Sequence, residues 1–167
     1  MPPPIPAVVH LLALNGLRLG DILTARVEHL GSQDGLTTLR LPRRKGGVLD
    51  VVSLPAETVA TLDAAIAGRD RGILLRTTTG RALKAADIYR MLDTLSDAAR
   101  LDRRVRPHML RASFVTLALD AEIPARDIMA STGQATVEMV AYYDRAHASV
   151  RRNASHRLAA SLKKERD

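Results

Sequence analysis

The chain contains no cysteine, which excludes disulfides, thiolate nucleophiles and cysteine-based zinc sites. That absence permits a reducing compartment without demanding one. Tryptophan is also missing, and aromatic residues amount to 2% of the sequence, so a core must be built from Leu, Val, Ile, Ala and Met. No apolar run approaches the roughly 20 residues of a membrane-spanning helix. The Met-Pro-Pro-Pro start lacks the basic region and apolar centre of a signal peptide. Internal repeats and low-complexity stretches are absent.

What is present is ordinary in bulk and biased in charge. The 167 residues suffice for one domain with its own core, and 46% of them are hydrophobic. Lys and Arg outnumber Asp and Glu by 25 to 18, a net charge of +7. This excess suits a polyanionic partner such as nucleic acid, although many proteins are basic without one.

Local patterns predict a mainly helical chain with a small sheet. Residues 1–6 read as an irregular, Pro-rich lead-in. A helix is expected over 7–14, stopped by Asn15-Gly16, and a second over about 20–28. Residues 36–42 and 48–54 read as two strands joined by the basic turn 43–47. A helix over 56–67 follows, then a short strand at 73–76. Ile88, Met91, Leu92, Leu95 and Ala99 keep helical spacing and predict a helix over 84–100. Pro107 suits the first turn of the next helix, with Leu110, Phe114, Leu117 and Ala121 as its core stripe. Further helices are expected over 123–131, with Gly133 near the cap, over 137–143, and over 148–162. Residues 163–167 form a charged, fraying tail.

Several polar residues stand out against this frame. His108 and Arg111 are three apart, hence on one face of their helix, close to an N-terminus that favours phosphate. Taken alone, such a pair is usually a capping histidine and a salt-bridging arginine. Arg18 follows a helix end, where a lone arginine is commonly just solvated. Asp21 could pair with it and hold the guanidinium for bidentate contact with a phosphate. Lys45 lies in the basic turn, in competition with Arg43 and Arg44. Tyr142 and Tyr143 diverge by roughly 100° if helical, so only one of them can serve a given point. Tyr89, inside the helix over 84–100, reads as a structural or surface residue.

Taken in order, these stretches resemble the catalytic domain of the tyrosine recombinases, or phage-type integrases. Gly16-Leu17-Arg18-Leu19-Gly20-Asp21 is similar to the first arginine box of that family. His108-Met109-Leu110-Arg111 is similar to its H-x-x-R box. Gly133-Gln134, followed nine residues later by Tyr143, is similar to its third segment, and Lys45 fits its hairpin lysine. The ordered set spans nearly the whole chain and is far more specific than any one box.

The resemblance implies an α+β, mainly α, single catalytic domain with a small antiparallel sheet. It implies site-specific DNA recombination with no metal or other cofactor. Tyr143 would attack a phosphodiester and form a 3′-phosphotyrosine, with Arg18 and Arg111 neutralising the transition state. His108 would be the general base or a phosphate donor, Lys45 the general acid, and Gln134 an auxiliary donor. Double-stranded DNA is the implied partner, with a homotetramer on DNA and a monomer or weak oligomer when free. The helix over 148–162 is the candidate for docking on a neighbour. The implied location is the cytoplasm, at the bacterial nucleoid or in a phage-infected cell.

Three features depart from the family pattern. Gln134 replaces the usual histidine and can donate a hydrogen bond but carries no charge. Ala112 stands where many members have histidine. Only about a dozen residues precede the first motif, so the DNA-binding domain that family members carry there is expected to be absent. Competing readings are a DNA-binding remnant that no longer cuts, a related type IB topoisomerase or hairpin-resolving enzyme, and an unrelated helical interaction domain.

Overall fold

The computed structural model describes residues 4–42 and 49–133. Helix α1 spans Ile5–Ala13 and begins earlier than expected, so the irregular lead-in stops at Pro4. Pro6 is tolerated because the first helical N–H groups have no intrahelical acceptor. Ala7, Val8, Leu11 and Leu12 are fully buried and make α1 the centre of the molecule.

Helix α2 is shorter than the sequence suggests, spanning Leu19–Thr24 instead of reaching 28. Tertiary pairing ends it. Ala25 accepts from the Leu74 N–H, Val27 donates to Gly72, and Arg26 bridges Ile73, which draws the chain out of the helix. A single 3₁₀ turn follows at Val27–His29. Residues 73–76 form no strand, only isolated bridges to Arg26 and Ala82, yet Leu74 and Leu75 are buried.

The sheet has three antiparallel strands in the order β1(Leu30–Gln33), β2(Leu36–Pro42) and β3(Leu49–Ser53). Strand β1 was not expected, because Leu30-Gly31-Ser32-Gln33 has no apolar alternation. The sign of it lay in the next two residues. Asp34 and Gly35 both take positive φ, at 52° and 77°, and close a two-residue hairpin that pairs Gln33 with Leu36.

Helices α3(Ala56–Ile66) and α4(Ala85–Ala98) match their expected positions. Helix α5(Pro107–Asp120) starts at Pro107 as expected, and α6(Ala125–Thr132) ends on Gly133 in the left-handed region at φ 59°. The stripe assigned to α5 is corrected. Leu117 is 64% exposed and Ala121 is exposed, whereas Val115 and Ala118 are buried. This helix is apolar nearly all round, so spacing alone cannot choose a face, and packing against α1 and α6 chooses it. Val115, Ala118 and Ile128 form a small second core beside the main one. The helices expected over 137–143 and 148–162, the tail at 163–167 and the turn at 43–47 lie outside the described residues.

Candidate active site

The loop after α1 carries Arg18 and is held by buried polar contacts. Asn15 is buried, accepts from the Thr58 hydroxyl at 2.8 Å, and donates to the Ser53 carbonyl at 3.2 Å. Leu17 is tied back to the Leu11 carbonyl. Gly16 turns at φ +62°, with the Phe114 ring packed where a Cβ would stand. These ties join α1, α3 and α5 at the base of the Arg18 loop.

Arg111 sits on the second turn of α5 and fixes the same loop from the other side. Its Nη1 donates to the Gly16 carbonyl, and its Nη2 to the Thr132 carbonyl at 2.8 Å. Arg18 Nη2 donates to the next carbonyl, Gly133, at 2.6 Å. Both guanidinium groups therefore converge on the C-terminal end of α6, whose carbonyls carry the negative end of the helix dipole. Asp21 does not hold the Arg18 side chain as expected. It accepts instead from the Arg18 backbone N–H at 3.3 Å, serving the start of α2.

His108 lies exposed in the first turn of α5, after Pro107. It shares with Arg18 and Arg111 a cavity of about 210 Å³. Leu17, Leu19 and Pro107 supply the apolar lining, and Tyr89 of α4 completes it. Three of the six expected site residues thus meet at one opening. Lys45, Gln134 and Tyr143 lie outside the described residues.

Two residues near this opening were not singled out as functional in the sequence. Tyr89 lies within a regular helical pattern, and nothing in such a pattern reports which cavity a side chain will line. Asp50 of β3 is the other. A Cβ on Gly133 would stand 3.3 Å from both Asp50 Oδ2 and Arg18 Nη1, so a carboxylate and a guanidinium crowd that glycine together.

The arrangement suits an anion with two or more acceptor oxygens. A guanidinium has five N–H donors, more than the one that Arg18 gives to the Gly133 carbonyl among the described residues. The N-terminus of α5 adds a partial positive charge close by. Among the described residues, no group of three or more His, Asp or Glu side chains could hold a metal ion. No helix among them is long and apolar enough to cross a membrane.

The profile of the phage integrase family matches residues 4–149 of this chain. The virulence plasmid integrase pGP8-D of Chlamydia trachomatis is 26% identical over 153 residues, covering 91% of this chain and 46% of that protein. The tyrosine recombinase XerC of Pseudomonas entomophila is 26% identical over 162 residues, covering 88% and 54%. Among solved structures, the XerH site-specific recombinase in a pre-cleavage complex with its difH substrate has the same fold, with a TM-score of 0.69. The identity there is 22%, over 86% of this chain and 44% of that one. The chain spans about half the length of the curated relatives it matches.

Proposed function

The chain belongs to the phage integrase family, and on that premise we propose that it is the strand-cleaving domain of a site-specific DNA recombinase. The observation that carries the proposal is the convergence of Arg18, His108 and Arg111 on one cavity at the start of α5. A phosphodiester seated there meets two delocalised cations and an imidazole in a partly desolvated site. The arginines stabilise the extra negative charge of a pentavalent phosphorane-like transition state, commonly the largest contribution in such sites.

Tyr143 is the proposed nucleophile. Its phenolic oxygen bonds to phosphorus, and its proton passes to a base for which His108 is the candidate. The bond from phosphorus to the 5′ oxygen breaks, and that oxygen takes a proton from Lys45. The product is a 3′-phosphotyrosine and a free 5′-hydroxyl. Bond energy is retained in the ester, so attack by a second strand's 5′-hydroxyl reverses the step on a new partner without ATP. Gln134 donates a neutral hydrogen bond to the phosphate.

Double-stranded DNA is the proposed partner, with four protomers on two sites and the bacterial cytoplasm as the place of action. The XerH site-specific recombinase is bound to its difH substrate, which supports a partner of the same kind here. The net charge of +7 supports it independently.

The test is covalent trapping. A pool of nicked duplexes with a randomised core is incubated with the chain in chelator, and SDS-resistant adducts are recovered. Adducts lost in Arg18→Ala and in Arg111→Ala support the reading. Salt-sensitive binding without any adduct supports the non-cutting remnant instead. Closed hairpin ends as the only products, or relaxed circles when a supercoiled plasmid replaces the duplex pool, would move the reaction class.

A further inference from the structure

We propose that Tyr89 is a substrate-positioning residue whose ring forms the cavity wall against which the deoxyribose beside the scissile phosphate packs. Arg106 and Asp93 hold that ring in place. The proposal rests on the recombinase reading and extends it to residues outside the recognised boxes.

The cations around the cavity account for the charge of a phosphodiester but not for its neighbours. Each phosphate in a duplex arrives between two deoxyriboses, which present apolar C–H faces. Leu17, Leu19 and Pro107 provide apolar surface, and Tyr89 is the aromatic member of the lining. Tyr89 is 38% exposed, so its ring meets solvent or substrate and is not consumed by the core.

The ring is held by a short chain of contacts. The Arg106 guanidinium carbon stands 5.6 Å from the Tyr89 ring centroid, within range of a cation–π contact. Arg106 Nη1 in turn donates to Asp93 Oδ1 at 2.7 Å. Tyr89 and Asp93 are four residues apart on α4, hence on one face of it. Arg106 immediately precedes Pro107 and His108, so the chain runs from the wall of the cavity directly to its cationic residues. A second tie keeps the two helices in register. The Val105 N–H donates to Ser96 Oγ at 3.0 Å, and Ser96 is buried. The distance from Tyr89 to His108 is therefore set by two polar bridges.

The test is single-turnover cleavage of a trapped nicked duplex over a range of DNA concentrations. Tyr89→Ala is expected to lower the saturating rate about tenfold or more, as misplacement of a reacting group does. Tyr89→Phe should restore the rate and Tyr89→Leu should not. Arg106→Ala should slow cleavage alone and add little in a Tyr89→Ala background. A wild-type rate in Tyr89→Ala or Tyr89→Leu overturns the proposal. So does an Arg106→Ala effect undiminished by removal of Tyr89, which would mean that Arg106 acts on its own. If the unaltered chain forms no adduct, the recombinase reading fails. The same variants are then read by affinity for the nicked duplex at low salt. A tenfold weakening in Tyr89→Ala with Phe rescue keeps the wall assignment, and unchanged affinity removes it.

Discussion

Arg18 and Arg111, from opposite halves of the chain, donate to consecutive carbonyls, Gly133 at 2.6 Å and Thr132 at 2.8 Å. The two residues differ in burial and in the number of carbonyls they serve. Arg111 is half-buried and also serves the Gly16 carbonyl, whereas Arg18 is exposed.

Lysine replacement should separate the two arginines. A lysine ammonium cannot span two carbonyls as a planar fork does. Arg111→Lys is expected to cost about 1–3 kcal/mol of stability, because part-buried acceptors lose their donor. Arg18→Lys should cost under about 0.5 kcal/mol, as most exposed substitutions do. Both should lower adduct formation by about 10²-fold or more, the usual size of a lost transition-state contact. Urea unfolding alongside covalent trapping reads both quantities.

Gly16→Ala should destabilise strongly. Gly16 sits at φ +62°, and a Cβ there would lie 2.9 Å or less from three atoms of the Phe114 ring. Left-handed backbone costs about 1–2 kcal/mol for a residue with a Cβ, and overpacking about 1–3 more. A loss of about 2–5 kcal/mol by urea unfolding is expected. Pairing the change with Phe114→Leu should recover part of it.

The corrected face of α5 has a direct consequence. Leu117→Gln should change stability by no more than about 0.5 kcal/mol, because that side chain is 64% exposed. Ile128→Ala, at 1% exposure in the small second core, should cost about 2–5 kcal/mol. The reverse order in denaturant titrations would restore Leu117 to the core.

Asp87 sets an acid limit on the region behind the cavity. The Lys84 backbone N–H, then the Arg81 and Arg90 side chains, lower its carboxyl to about 2 from an ordinary value near 4. The folded state therefore holds the proton less tightly than the unfolded chain. The stabilisation is complete above about pH 4 and is lost as pH falls toward 2. Asp87→Asn should be less stable near neutrality and should show a shallower decline over that window, read as urea midpoints from pH 6 to pH 2.

The family was legible because the residue types and order of its boxes are restrictive, and the long amphipathic helices because their spacing repeats. Arg18, His108 and Arg111 do share an opening. What spacing could not convey were features settled by distant partners. The end of α2 depends on Gly72 and Leu74, and the buried face of α5 depends on α1 and α6. The role of Asp21 went to a backbone N–H because the Arg18 side chain found Gly133 instead. Strand β1 was hidden by its composition, though Asp34-Gly35 announced the hairpin. The placing of Tyr89 at the cavity required the fold itself.

Whether this domain cuts DNA through a tyrosine without metal is decided by mapping the adduct. The nicked-duplex adduct formed in chelator is digested, and the peptide bearing the nucleotide is sequenced by mass spectrometry. Modification at Tyr143 alone, and no adduct in Tyr143→Phe, are expected. An adduct mapped to Tyr142 or Tyr89, or one that persists in Tyr143→Phe, would contradict it.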